Sequence, residues 1–152
     1  MYKTRPGPSA DDERMEKRFD TKITVILRDD LQPWQALNVT AFLTSGIAAA
    51  NPELIGEPYE DADGTPYYSL FRQPVVVLQG DGAAVKTSHE RCLRRGLRAA
   101  VYTSDMFATG NDDDNREVVR AVEAGKLDVV GIAVHGPRNA VDKIAKGCHM
   151  HP

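Results

Sequence analysis

The stretch Lys22–Ala50, KITVILRDDLQPWQALNVTAFLTSGIAAA, decides the fold of this chain. Residues 22–27 are mostly apolar and β-branched, a composition that is typical of a strand buried on both faces. Pro33 suits the first turn of a helix, because no backbone N–H is needed there. The pair Asn51-Pro52 ends that helix. The stretch therefore predicts a strand over 22–27 and a helix over about 33–50, the opening unit of an α/β fold.

The rest of the chain repeats this alternation of strands and helices. Apolar, β-branched runs predict strands, and glycines or acidic starts bound the helices between them. The pattern predicts a three-layer α/β/α sandwich around a mixed, largely parallel sheet. The predicted strands are 66–72, 74–78, 97–103, 128–134 and an edge strand at 148–151, and the predicted helices are 86–95, 112–123 and 137–146.

Composition limits the classes of function. The net charge of -3 gives no general attraction to nucleic acids, so RNA is not expected as a partner. No apolar run approaches the roughly 20 residues of a membrane span, and the first residues lack the apolar core of a secretory signal. The two cysteines do not suggest a disulfide scaffold. These features predict a cytoplasmic protein that does not contact membranes.

Two segments differ in their expected organisation. Residues 1–20 are polar and contain two prolines, which predicts a flexible N-terminal arm, whereas we expect residues 21–152 to form a single domain. The first helix contains many small residues, which permit close approach of a sheet or of a second copy. We therefore expect a homodimer; the small residues are Ala36, Ala41, Gly46, Ala48, Ala49 and Ala50.

The first candidate site follows the first strand. Arg28 and Asp30 are charged residues at a strand end, which is where open α/β sheets bind ligands. One interpretation makes Arg28 a ligand-binding residue and Asp30 a catalytic acid or base. The alternative is an ion pair that positions the turn. Trp34 is the only tryptophan, and it either covers the start of the helix or forms a stacking wall for a planar ligand.

The second candidate site follows the third buried strand. Ser104 and Asn111 are predicted ligand-binding residues, and Asp105 with Thr109 is the candidate catalytic pair. Hydroxyls and a glycine near a helix start can bind an anion, although Asn111 or Asp112 can equally cap that helix. No phosphate-binding glycine motif is present, so no cofactor is predicted. The two sites together predict a cleft at one edge of the sheet.

Two further clusters favour ordinary structural roles. Arg91, Arg94, Arg95 and Arg98 suit the C-terminal end of a helix, with contact to an RNA backbone as the alternative. In an extended segment, His149 and His151 share a face while Cys148 points away. Because a zinc site usually needs three or four protein ligands, no metal is predicted.

Four blocks of the sequence resemble the type II peptidyl-tRNA hydrolases. They are 22–31, 74–78, 96–103 and 129–146, the last of which is VVGIAVHGPRNAVDKIAK. Residues 22–152 more closely resemble a group of uncharacterised bacterial proteins, the domain of unknown function 2000. The segments LRDDLQPWQALNVTAFL, GEPYEDADG and ATGND carry that match. The resemblance implies a peptidyl-tRNA hydrolase II-like fold.

Residue matches to the hydrolases are incomplete. Arg28, Asp30 and Leu31 match the hydrolase turn after the first strand, and Asp105 with Thr109 matches an Asp/Thr pair if one residue is inserted. The hydrolase lysine has no counterpart in 32–37, and Thr44 lies near the position of the hydrolase histidine. We therefore expect binding of a small ligand or a partner at the strand-end cleft. The alternative is hydrolysis of an ester or amide in a peptidyl-tRNA-like substrate.

Overall fold

The computed structural model describes residues 19–152, so the predicted arm at 1–20 lies almost wholly outside the described residues. One helix lies between β1 and the small hairpin β2–β3, and the other helices alternate with the later strands. The strands are β1 (Thr21–Arg28), β2 (Tyr59–Glu60), β3 (Pro66–Tyr67), β4 (Val75–Gly80), β5 (Ala100–Thr103), β6 (Val129–Pro137) and β7 (His149–Met150). The α-helices are α1 (Pro33–Ala50), α2 (Gly82–Arg95), α3 (Asp112–Arg120) and α4 (Arg138–Ile144).

Five strands form one mixed sheet in the order β5-β6-β1-β4-β7. Val25, Val77, Val101 and Ile132 all lie in it, as the sequence predicted. The prediction of a largely parallel sheet is wrong, because only β1 and β4 pair in parallel. The strands β1, β4 and β5 do run in one direction. However, β6 lies between β5 and β1 and runs the other way, so both of its pairings are antiparallel.

Helices cover both faces of the sheet, which confirms the three layers. Side chains alternate along β1: Ile23, Val25 and Leu27 pack against α1, whereas Ile26 packs against α2 and α4. The buried residues of α1 recur at helical spacing, at Ala36, Val39, Leu43 and Ile47. Among residues 19–152, no helix is long and apolar enough to cross a membrane.

Local signals set the ends of several elements. Asp81 accepts a hydrogen bond from the backbone of Ala84 at 2.8 Å, so α2 begins at Gly82, before the predicted start at 86. Gly96 ends α2 with a φ of 63°, a conformation that favours glycine. The β2–β3 hairpin is held by Asp61, whose pKa is lowered to about 2 by hydrogen bonds from the Thr65 backbone and the Tyr67 hydroxyl.

Thr24 is a polar residue in the centre of the sheet. It is 0% exposed, and its hydroxyl has no hydrogen-bond partner within residues 19–152. A buried hydroxyl without a partner is destabilising, and valine has nearly the same shape. We expect Thr24→Val to raise the free energy of unfolding by about 1 kcal/mol. Urea denaturation measures the change, and a variant less stable than the wild type would contradict the prediction.

Candidate functional site

Four chain segments meet at one edge of the sheet. Because β1, β4 and β5 run in the same direction, their C-terminal ends at Arg28, Gly80 and Thr103 lie together. The antiparallel strand β6 begins at this edge, which brings Asp128 to the same place. The strand ends at which the sequence predicted a cleft thus lie together in the structure. Two separate arrangements of side chains are found there.

The first arrangement is an ion-pair network around Arg28. Its Nε donates to Asp30 Oδ1 at 2.6 Å, and its Nη1 donates to Asp128 Oδ1 at 2.9 Å. The hydrogen bond to Asp30 is the main reason that the pKa of Arg28 is raised. Hydrogen bonding from Ser104, and then the charge of Arg28, lower the pKa of Asp128. This network ties β1, β5 and β6 together, which is the structural alternative that the sequence offered for Arg28 and Asp30.

The second arrangement is an aromatic pocket of about 320 Å³ between α1, the end of β5 and α3. The Trp34 ring meets Phe107 edge-on at 6.1 Å, and Phe107 lies 5.1 Å from Tyr102. Phe42 meets Tyr102 at 6.0 Å from the other side. Tyr102 is 5% exposed, whereas Trp34 is 61% exposed. The four rings thus form a continuous wall that is buried at Tyr102 and open at Trp34.

Polar groups line the same pocket. Asn38 hydrogen-bonds the Tyr102 hydroxyl, and burial raises the pKa of that hydroxyl above its ordinary value, so Tyr102 is protonated at neutral pH. The Thr109 hydroxyl donates to the Met106 carbonyl at 2.9 Å and also contacts the Asn115 amide. Whichever amide atom of Asn115 faces Thr109, the other one is left for a ligand. The pocket therefore combines aromatic walls with hydrogen-bonding groups.

The rim of the pocket is acidic. Asn111 caps α3, because its Oδ1 accepts a hydrogen bond from the backbone of Asp114 at 2.9 Å. Asp112, Asp113 and Asp114 occupy the first turn of the helix. These carboxylates already complement the positive end of the helix dipole. Anion binding, which the sequence allowed at this loop, is consequently disfavoured.

The structure divides the predicted site residues. Trp34, Thr109 and Asn111 line the aromatic pocket, whereas Arg28, Asp30 and Ser104 belong to the ion-pair network. Asp105 is exposed and lines neither arrangement, and its carboxylate forms no hydrogen bond or ion pair with any other residue in 19–152. The candidate catalytic residues Asp30, Asp105 and Thr109 thus do not converge on one pocket.

Sequence reasoning missed several residues of this edge. Asp128 comes just before β6. It could be placed beside Arg28 only if the antiparallel direction of β6 was known. Tyr102 and Phe107 lie within or next to the second candidate site. Their aromatic side chains were the signal that could have indicated a pocket wall there. Asn115 lies one helical turn after the Asn111 cap, a spacing that places both on the pocket side of α3.

The C-terminal residues do not form a metal cluster. Cys148 Sγ lies 3.9 Å from the Ser88 hydroxyl, whereas the His149 ring lies 3.2 Å from the side-chain amide of Gln79. Within residues 19–152, no three His, Cys, Asp or Glu side chains are placed to share a metal ion. Burial raises the pKa of the Cys92 thiol to about 11, which makes that cysteine an unreactive core residue.

The fold and the site define a three-layer α/β protein with a mixed five-stranded sheet and an aromatic pocket at the strand-end edge. The chain belongs to the family described as Protein of unknown function (DUF2000), whose family model matches residues 21–152. It is similar to a solved structure of a protein of unknown function from Agrobacterium. That chain is 50% identical, the match covers 88% of this chain and 99% of that chain, and the TM-score is 0.86. No curated protein matches the chain.

Proposed function

We propose that this protein binds a small, uncharged, planar ligand in the aromatic pocket. The observation that supports this proposal is the wall of four aromatic rings beside the side-chain amide of Asn115, which can hydrogen-bond a ligand. A tryptophan that only covered the start of its helix would be largely buried, yet Trp34 remains 61% exposed. A planar ring lying on Trp34 and Phe42 would bury apolar surface on both and gain stacking contacts.

Size and polarity narrow the class of ligand. A volume of about 320 Å³ is at the lower limit for ligand pockets, which suits one or two fused rings. The Asn115 amide can hydrogen-bond a ring nitrogen or carbonyl, and the acidic first turn of α3 repels phosphate or carboxylate groups. Free heterocycles such as nucleobases fit this chemistry better than nucleotides do.

Adenine and nicotinamide are suitable probes, because both are planar and uncharged and neither has the fluorescence of tryptophan. Trp34 is the only tryptophan, so its fluorescence reports binding at the pocket directly. We expect at least one probe to quench this fluorescence saturably, and adenosine monophosphate to bind more weakly than adenine. Loss of the stacking wall in Trp34→Ala should weaken binding by about tenfold or more, measured by ligand-observed NMR.

Tyr68→Ala is the matched control, because Tyr68 is 93% exposed and does not line the pocket. We expect this variant to bind the probes as the wild type does. If no probe binds, or if Trp34→Ala binds as well as the wild type, the ligand proposal is wrong.

We further propose that the fold is related to that of the type II peptidyl-tRNA hydrolases. The four blocks that resemble those enzymes correspond to β1, β4, β5 and the pair β6–α4, and the four strands are neighbours in one sheet. Ester or amide hydrolysis is the weaker candidate, because Asp30 is held by Arg28 and Asp105 lies outside the pocket. Cleavage of N-blocked aminoacyl-tRNA that is lost in Asp105→Ala would favour hydrolysis over ligand binding.

A further inference from the structure

We propose that two copies of this chain associate through the outer face of α1 and the neighbouring hairpin arm, which is the segment 55–71 that contains β2 and β3. This α1 surface consists of Trp34, Leu37, Ala41, Phe42 and Ser45 on α1, with Tyr59 and Leu70 on the hairpin arm. Trp34 and Phe42 lie on the border between this surface and the aromatic pocket, so the proposal is tested at Leu37 and Ala41, which do not line the pocket.

The first observation is the exposure of large apolar side chains. Leu37 is 74% exposed, Leu70 is 60% exposed, and Phe42 and Tyr59 are each about half exposed. Together with Trp34, these side chains present roughly 600 Å² of apolar surface. That equals or exceeds the largest patch of an ordinary monomer, which is about 300–600 Å². The small residues between them bring the surface towards the ~800 Å² per partner of a stable interface.

The second observation is the complete absence of charge from α1. Its eighteen residues, PWQALNVTAFLTSGIAAA, include no Asp, Glu, Lys, Arg or His. At the 27% charged share of the whole chain, a helix of this length would carry about five charged residues. The cores of homodimer interfaces are depleted of charge in this way. Although each copy has a net charge of -3, two such faces can meet without repulsion between like charges.

The third observation is the shape of the surface. A groove of about 490 Å³ runs between α1 and the hairpin arm, and it is lined by Ala41 and Ser45 on one side and by Tyr59 and Leu70 on the other. Small residues beside large ones form the holes and ridges that helix packing requires. In a two-fold arrangement, Leu37 of each copy would enter the groove of the other. The occupant that fits this face is therefore a second copy of the same chain.

Sedimentation velocity of the full chain tests the proposal. We expect the wild type at micromolar concentration to have about twice the 16.7 kDa mass of one chain. Leu37→Glu places a charge in the middle of the interface without disfavouring the helix, so we expect the dissociation constant to rise by at least ~100-fold. Ala41→Glu is a second, independent substitution on the same surface, and it should have the same effect.

Leu93→Glu is the matched control. Leu93 is also an exposed leucine on a helix, but α2 packs on the opposite face of the sheet. We expect this variant to remain a dimer, with a circular dichroism spectrum equal to those of the other two variants. A wild type that stays monomeric over the micromolar range would overturn the proposal, as would dissociation by Leu93→Glu alone.

Discussion

Replacing Gly131 with alanine is expected to lower the free energy of unfolding by about 2 kcal/mol. Gly131 is the third residue of β6 and lies beneath α1. A Cβ at this position would lie 2.8 Å from Cγ1 of Val39, 3.1 Å from Leu27 and 3.2 Å from Leu43. These three side chains are 0–2% exposed and belong to the core beneath α1. Since none of them can move into solvent, the helix must shift away from the sheet.

The same strand supplies a control five residues further on. A Cβ built on Gly136 would have its nearest contact at 3.4 Å, to Leu97, which is ordinary van der Waals contact. We expect Gly136→Ala to change stability by less than about 0.5 kcal/mol. Denaturation midpoints of the two variants measure the difference. Equal midpoints would mean that the helix moves freely and that the close packing at Gly131 does not determine stability.

A second substitution tests the cause of the effect. Val39→Ala removes the methyl group that lies closest to the added Cβ, although it leaves a small cavity when made alone. In the double variant, the new methyl group partly fills that cavity. We therefore expect the combined loss to be smaller than the sum of the two single losses, which is the result for residues in direct contact.

The stretch from β1 to α1 was predictable because its signals are local. The β-branched run, Pro33 and the Asn51-Pro52 stop act within a few residues of the ends that they set, so the boundaries agree with the structure to within one residue. The alternation of strands and helices likewise predicted the three layers. It required only that each apolar face be covered by a neighbouring element.

The direction of β6 was not predictable in the same way. A helix between two strands usually carries the chain back to begin a parallel strand, and that expectation produced the largely parallel sheet. Here α3 is short, and the chain returns to the edge at which β5 ended. The helix has nine residues, from Asp112 to Arg120. Such a choice depends on the completed sheet and not on local sequence.

The sequence predicted one cleft, whereas the structure has two separate arrangements of side chains. The expectation that ligand groups lie at strand ends placed Arg28, Trp34 and Thr109 together. All three lie at the end of the sheet where β1 and β5 end. The sequence does not state which charges pair, and the pairing of Arg28 with Asp128 joins residues that are one hundred positions apart. The pairing leaves the aromatic pocket free of that network, so the ligand-binding interpretation rests on Trp34 rather than on the charged residues.

Replacing Arg91 with methionine is expected to lower the free energy of unfolding by about 2 kcal/mol. The Arg91 guanidinium donates to the carbonyl oxygens of Lys146, Ile144 and Lys143 at 2.6, 3.2 and 3.3 Å. The buried Ser88 hydroxyl donates to the same Ile144 oxygen at 2.8 Å. These bonds satisfy the last two carbonyls of α4, which have no partners inside their own helix, and the carbonyl of Lys146 just after it. Methionine keeps the aliphatic length of the side chain but leaves those carbonyls without the charged donor.

Arg94→Met separates this structural role from a role in RNA binding. Arg94 lies on the same helix and is exposed, and within residues 19–152 its guanidinium forms no hydrogen bond or ion pair. We expect its replacement to change the free energy of unfolding by less than about 0.5 kcal/mol, measured by urea denaturation. If the basic cluster instead held an RNA backbone, both variants would lose RNA affinity to a similar degree while keeping similar stability. Because Arg91 joins α2 to the end of α4 by hydrogen bonds, we expect the two variants to differ in their denaturation midpoints. We do not expect them to differ in retention on an RNA column.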